Sequence, residues 1–277
     1  MKKLNISILG CGWLGLPLLK SLVSDGHNVR GSSRNPQTLA EIREAGAKAF
    51  DINLPQDLPA GFTDECDVLI FTLPPGGRKF GAAATDKYLA ALASLTEWLS
   101  WPDGPALIYT SSTGVYGAQP GIVTEQTEPK PDTHSARAVR RAEEWFMSGR
   151  YPLTILRLAG LVAEDRHPGR FFGGKDRPIS SADTPVNLVH RDDVILAVKQ
   201  CLQNNQTPII YNVCAAAHPR KGDFYTRAAD ALGLNVKGTE PGGENGKTIN
   251  SDKLRALGWA PKWDDLDLAF LETERKK

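Results

Sequence analysis

The 277-residue chain predicts an α/β fold, a doubly wound parallel sheet of Rossmann type with helices on both faces and a smaller C-terminal substrate lobe. Three observations carry that expectation. Ile6-Ser7-Ile8-Leu9 runs straight into Gly10-Cys11-Gly12-Trp13-Leu14-Gly15, a G-x-G-x-x-G between an apolar strand and an amphipathic segment. Strand-like and helix-like stretches then alternate through the first half of the chain. Asp67-Val68-Leu69-Ile70-Phe71-Thr72-Leu73 is almost continuously apolar, as a parallel strand covered on both faces must be.

The glycines have separate tasks. Gly10 permits a sharp turn, Gly12 removes a Cβ from the path of a pyrophosphate, and Gly15 lets the helix approach the strand, so that Trp13, Leu14 and Gly15 open a helix whose positive end faces the anion. Leu14, Leu18 and Leu22 share one helical face, and Asp25-Gly26 ends it. Pro17 falls in the first turn, where no intrahelical donor is lost. A second strand follows at 27–31. Asn35-Pro36 then caps a helix that turns Leu39 and Ile42 inward and stops at Gly46. Strand three is expected at 47–52 and strand four at 67–73, ending in Pro74-Pro75-Gly76-Gly77, where a cofactor passes Leu73 and Pro74. Tyr88, Leu92, Leu95 and Leu99 mark a long helix, 106–111 strand five, 134–148 a helix and 153–158 a further strand. Residues 165–185 are too rich in Gly, Pro and charge for regular structure. The expected division is a dinucleotide-binding domain at 1–164 and a substrate lobe at 165–277, with strands between 186 and 213 returning to the sheet.

Composition excludes several partners. With 33 basic and 32 acidic residues the formal net charge is +1, so neither nucleic acid nor an anionic membrane is an expected partner. Cys11, Cys66, Cys201 and Cys214 lack the spacing of a metal site or a disulfide framework and read as free thiols. Lys2-Lys3 ahead of apolar residues and Cys11 suggests a lipoprotein signal, but Asn5 and Ser7 break a run that needs about 7–15 apolar residues. A cytoplasmic protein acting on a small molecule is expected.

Gly10 to Gly15, Tyr109-Thr110-Ser111-Ser112-Thr113-Gly114-Val115-Tyr116-Gly117, Leu156-Arg157-Leu158, Asn187 to Val194 and Tyr211-Asn212-Val213 together resemble the extended short-chain dehydrogenase/reductase family, the branch of sugar-nucleotide epimerases and dehydratases. The flavour is similar to its atypical, YeeZ-type bacterial members. One departure is the tighter G-x-G-x-x-G in place of that branch's G-x-x-G-x-x-G, a change that still exposes amides at a helix end.

At the end of strand two an NAD site needs a carboxylate for the ribose 2′-hydroxyl. Gly31-Ser32-Ser33-Arg34 offers two hydroxyls and a guanidinium instead, which suits a 2′-phosphate and favours NADP over NAD, the other reading being an ordinary polar loop before a helix. Asp51 resembles the family's adenine-side acid; a turn or cap is an equal reading.

The resemblance implies catalysis by a Tyr-x-x-x-Lys pair with a nearby Ser or Thr. The serine is present as Ser112. The pair is absent: anchoring on Ala142-Glu143 puts Ser135 and Val139 in its places, a one-residue slide puts Ala136 and Arg140 there, and none of the six tyrosines has Lys four residues on. An aliphatic hydroxyl is a far weaker acid than a phenol of pKa about 10, so proton transfer falls to Tyr116 or His134, each of which also has a purely structural or solvent-exposed reading. Arg137, Arg140 and Arg141 read as a helix face paired with Glu143 or Glu144, or as an anion clamp. Asn187 reads as a substrate contact or a strand-end hydrogen bond. Arg166, His167, Arg170 and Lys175 lie where related enzymes hold a sugar-nucleotide pyrophosphate, or in a solvated loop. Two functions remain: an NADP-dependent oxidoreductase or epimerase/dehydratase-like enzyme with a non-standard acid/base group, or a non-catalytic dinucleotide-binding redox sensor or regulator.

Overall fold

The computed structural model describes residues 2–55, 58–95, 99, 104–203 and 209–266. Its strands are β1 (Asn5–Leu9), β2 (Asn28–Ser33), β3 (Lys48–Asp51), β4 (Val68–Phe71), β5 (Ala106–Ser112), β6 (Gly121–Val123), β7 (Leu153–Leu158), β8 (Gly160–Val162), β9 (Leu188–His190), β10 (Ile209–Val213) and β11 (Lys247–Ile249). The described helices are α1 (Gly15–Ser24), α2 (Pro36–Glu44), α3 (Gly77–Phe80), α4 (Ala84–Ala93), α5 (His134–Met147), α6 (Arg191–Leu202), α7 (Lys221–Asp230) and α8 (Asp252–Ala256).

Seven strands form one sheet in the order β10-β7-β5-β4-β1-β2-β3. The pairs β1–β2, β1–β4, β2–β3 and β4–β5 are all parallel. Crossing from β3 back to β4 beside β1 makes the sheet doubly wound, and it brings the chain ends after β1, β2 and β4 to one edge. Two strand expectations part company here. Ile209–Val213 joins the main sheet, but the stretch expected at 186–190 forms β9 and pairs with β8 in a separate two-stranded sheet. Of the helix expected through Leu99, α4 ends at Ala93 and Leu95 lies in a turn, while Leu99 is again helical, its amide bonding the Leu95 carbonyl; 96–98 lie outside the described residues.

The chain falls into two compact units, one of Met1–Val115, Pro131–Leu156 and Cys201–Ile210, the other of Tyr116–Lys130, Arg157–Gln200 and Tyr211–Lys277. In the first, Ile6 and Ile8 of β1, Leu69 and Phe71 of β4, Leu18 and Leu22 of α1 and Ile42 of α2 are buried. Asn35 caps α2 as its sequence demands, accepting a hydrogen bond from the Gln37 amide with Pro36 following. In the second unit Val162, Ile179, Val186, Leu188, Ala215, Phe224, Tyr225 and Leu266 form a core against which Phe171 and Phe172 pack.

Gly31 shows how tightly α1 lies on the sheet. A Cβ there would meet the Leu19 side chain and come within 2.7 Å of Cys11 Sγ. Gly31→Ala therefore overpacks the α1–β2 contact and is expected to lower stability by about 1–3 kcal/mol, read as a lower urea midpoint at unchanged slope.

Candidate functional site

The turn between β1 and α1 is held from three directions. Gly10 has φ +110°, a backbone conformation open to glycine. Thr72, just past β4, donates its hydroxyl to the Gly10 carbonyl at 2.6 Å, and the Gly10 amide donates to Ser32 Oγ at 3.0 Å. Gly15 lies against the Gly10 carbonyl so closely that a Cβ would collide with it. A Cβ at Gly10 would lie 2.7 Å from Leu73 Cδ2, which fixes Leu73 beside the turn, and Tyr88 donates its hydroxyl to the Leu73 carbonyl at 2.7 Å. Pro74 follows on the surface.

These residues fit a dinucleotide. Gly12 is exposed, and a Cβ on it would meet no atom within 4 Å. Leu14 precedes α1 without a side-chain cap, and no acidic residue occupies the first turn. Amides and helix dipole therefore present a positive surface suited to a pyrophosphate. Trp13 is half-buried at the same turn, and Leu14 is buried beneath it.

At the end of β2 the three polar residues separate. Ser32 is buried, with its oxygen occupied by Gly10, so it shapes the turn. Ser33 Oγ accepts from the Asn35 amide, and Arg34 is exposed, its guanidinium donating to Asn53 Oδ1 at 3.2 Å. Asp51, exposed at the end of β3, is the register partner of Ser33.

The place expected to hold a catalytic tyrosine is closed by backbone. A Cβ at Gly77 would collide with Ser135 Oγ and lie 2.8 Å from its amide nitrogen, so α3 rests directly on the start of α5. Val139, in the lysine place, is buried. Ser112 does lie beside this turn: a Cβ on Gly114 would be 3.2 Å from Ser112 Oγ and 3.7 Å from Ala136 Cβ. Ser112 Oγ accepts from the Gly114 amide at 3.0 Å, which fixes the oxygen and leaves the hydroxyl proton to donate.

Both proton-transfer candidates are engaged elsewhere. Tyr116 is fully buried, donates to Asn212 Oδ1 at 2.7 Å, accepts from Arg157 at 2.9 Å, and lies under the Arg157 guanidinium. Burial pushes its pKa up, against the opposing pull of the Arg157 charge. His134 is exposed at the first position of α5, its Nδ1 3.3 Å from the Arg137 guanidinium. Because a guanidinium only donates, Nδ1 is the acceptor there.

Sequence reasoning missed the role of Glu143. Arg140 bonds Glu143 and Glu144, and Arg141 bonds Glu144, as the paired-face reading has it. Glu143 itself is wholly buried, however, and its Oε1 accepts from Ser111 at 2.5 Å. It ties α5 to the strand end that carries Ser112. An Arg/Glu-rich helix face gives no sign in sequence of which carboxylate turns inward.

In the second unit, Asn187 bridges backbone on both sides: its Nδ2 donates to the Pro185 and Lys247 carbonyls and its Oδ1 accepts from the Ile249 amide. His167 is buried and accepts from the Gly169 amide, capping the short helix Pro168–Phe171, while Arg170 is exposed. His190 and Asp193 are buried, and Asp193 accepts from the Lys262 and Trp263 amides. Among the described residues no group of three or more His, Cys, Asp or Glu could hold a metal ion, and no helix is long and apolar enough to cross a membrane.

The sequence pattern of a family described as NAD(P)H-binding matches residues 10–205. Protein YeeZ of Escherichia coli K12 is 40% identical over 242 residues, covering 84% of this chain and 85% of its own. Among solved structures, a conserved protein of unknown function from Silicibacter pomeroyi superposes with TM-score 0.80 at 22% identity over 97% of each chain. UDP-glucuronic acid 4-epimerase from Bacillus cereus, solved with NAD, superposes with TM-score 0.78 at 17% identity over 98% of this chain and 96% of its own. UDP-glucose 4-epimerase from Thermotoga maritima, solved with UDP-glucose, has TM-score 0.72 at 16% identity, over 98% and 97%.

Two outcomes follow from the buried groups. Burial pushes the Cys11, Cys201 and Cys214 thiols up to about 12, so near pH 8 only about one part in ten thousand is thiolate. An aromatic disulfide reagent at that pH is expected to label native protein at Cys66 alone, which is half-buried, and all four cysteines after unfolding in urea. Glu143→Ala leaves the Ser111 hydroxyl without its acceptor and Arg140 with one fewer partner, and is expected to cost about 3 kcal/mol in chemical denaturation.

Proposed function

The chain belongs to the NAD(P)H-binding family, and from that premise we propose that it is an NADP(H)-dependent enzyme of the epimerase/dehydratase-like short-chain dehydrogenase/reductase type, acting on a small carbonyl or sugar-nucleotide-like compound. The observation that carries the reading is the pairing of the uncapped Gly10–Gly15 turn with a half-buried Ser33 and an exposed Arg34 where an NAD site needs an acid. Arg34 provides a planar fork for a 2′-phosphate, and Ser33 a hydroxyl beside it. NADP(H), when bound, supplies or accepts the hydride. Trp13, Leu14 and Gly15 receive the pyrophosphate, Asp51 lies on the adenine side, and Leu73 and Pro74 line the path of the dinucleotide. Solved structures of similar fold come from enzymes named for UDP-sugars, which supports that substrate class.

Ser112 holds the substrate oxygen by donating its hydroxyl proton from a position set by the Gly114 amide. It is not the acid. His134 is one residue from the closed tyrosine place and exposed to solvent, and it exchanges the proton through Nε2 while Nδ1 accepts from Arg137. A second reading, dinucleotide binding without turnover as in a redox sensor, is favoured by one specific observation: Val139 is packed into the core where a lysine would hold the nicotinamide ribose.

Calorimetry with NADPH and NADH separates the cofactor claim from the chemical one. NADPH is expected to bind more tightly, and Arg34→Ala to weaken it by about tenfold or more while leaving NADH nearly unchanged, as loss of a charge-assisted hydrogen bond requires. Equal affinities in the native protein overturn the NADP assignment. Across a panel of carbonyls and UDP-sugars, Ser112→Ala is expected to lower turnover about 10²-fold, the scale for one lost oxyanion donor. Tight NADPH binding with no turnover of any compound selects the second reading.

A further inference from the structure

The guanidinium of Arg34 is held by a neutral side chain from the neighbouring strand. β2 and β3 run parallel with Ser33 opposite Asp51, so the residues just past their ends, Arg34 and Asn53, meet at the same edge of the sheet, and Arg34 Nη1 donates to Asn53 Oδ1 at 3.2 Å. A guanidinium only donates, so the amide oxygen must be the atom that faces it, and the Asn53 amino group keeps both of its protons for another acceptor. The bond uses one of the five guanidinium donors. Among the described residues Arg34 forms no ion pair, although Asp51 is exposed at the end of the adjoining strand.

A carboxylate at 53 would also hold that guanidinium, but it would cancel the charge an anion needs and repel the anion itself. An amide restrains the long side chain without neutralising it. Ordering a rotamer-rich side chain before the ligand arrives removes part of the entropy cost of binding. The next residues along the chain add to the same character: Ser33 Oγ accepts from the Asn35 amide at 3.1 Å, which leaves its hydroxyl proton to donate, and α2 opens at Pro36 with no acidic residue in its first turn. Two strand ends and one helix start thus offer donors and positive potential to a group that carries negative charge, and a ribose hydroxyl, being neutral, gains little from them.

We propose that Asn53 sets the preference of this chain for NADP(H): its carbonyl oxygen positions the Arg34 fork, and its amino group donates to the same 2′-phosphate. The assignment rests on the cofactor reading above for its ligand and adds to it a specificity-determining residue from the end of a different strand. A residue that merely shaped the turn after β3 would act on both dinucleotides alike; one that positions Arg34 acts on the phosphorylated form alone.

The test is calorimetry of the full chain with NADPH, NADH and adenosine 2′,5′-bisphosphate, the last of which carries the 2′-phosphate without the nicotinamide half. Asn53→Ala is expected to weaken NADPH and the bisphosphate by about tenfold, with NADH affinity and melting temperature unchanged. Asn53→Asp, nearly isosteric and so a sound comparison if the alanine variant melts early, is expected to lose at least as much NADPH affinity, because its carboxylate pairs with Arg34 and faces the phosphate, while NADH affinity does not fall. In an Arg34→Ala background, where the fork is gone, Asn53→Ala is expected to cost NADPH only about twofold to threefold more, the non-additivity of a residue that acts largely through its neighbour. A native protein that prefers NADPH, yet shows no loss with Asn53→Ala or equal losses for NADPH and NADH, overturns this proposal and leaves the cofactor reading standing. Equal native affinities for the two dinucleotides, or no heat from NADPH, bring down the cofactor reading and this proposal with it.

Discussion

The contact between Gly15 and the Gly10 carbonyl sets the geometry from which the first unit's chemistry follows. Because neither residue carries a side chain at that crossing, α1 begins directly on the end of β1, with no side-chain cap and no acidic residue at its opening. The arrangement is maintained by neighbours on both sides: Thr72 after β4 pulls on the Gly10 carbonyl, and Ser32 in β2 receives the Gly10 amide. Three adjacent strands thus converge on one residue, Gly10. A dinucleotide pyrophosphate needs amides that already point at it, since ordering them on binding would consume affinity.

The same economy of side chains shapes the chemical end of the unit. Gly77 allows α3 to settle on Ser135, and Val139 fills the space under α5 with hydrocarbon. A phenol and an ammonium could be restored at those positions only by moving backbone and by charging a buried site, which carries a desolvation penalty of several kcal/mol per ion. What survives is the hydroxyl of Ser112, oriented by a backbone amide, and a buried Glu143 that locks the helix to the strand behind it. The Ser112 hydroxyl and the exposed His134 stand on separate elements, the end of β5 and the first position of α5.

Much of this was legible in the chain, for reasons that differ by element. β4 was readable because a parallel strand covered on both faces leaves no polar alternation to confuse the pattern. The glycine turn and the Asn35-Pro36 cap were readable because each rests on local backbone chemistry. The helix expected through Leu99 is interrupted by a turn at Ser94-Leu95, although Leu99 is itself helical, because Leu95 and Leu99 keep helical spacing across the break. β9 was assigned to the main sheet because an apolar run states that a strand forms, and says nothing of which strand it pairs with.

Side-chain direction was the information least available. Ser32 and Ser33 are equal in sequence, yet only the first turns into the loop, and Glu143 and Glu144 adjoin, yet only the first is buried. Tyr116 reads as a proton-transfer candidate or a structural residue, and Asn187 as a substrate contact or a strand-end bond, until Arg157, Asn212, Lys247 and Ile249, all distant in the chain, are found to occupy their hydrogen bonds. Sequence by itself determined the parallel α/β order, the dinucleotide turn and the loss of the tyrosine–lysine pair, since periodicity, glycine placement and residue identity are local properties. Tertiary structure alone decided which polar groups were consumed by the fold and which cations, such as Arg177 and Lys221, meet over one ring, because those outcomes depend on contacts between residues far apart along the chain.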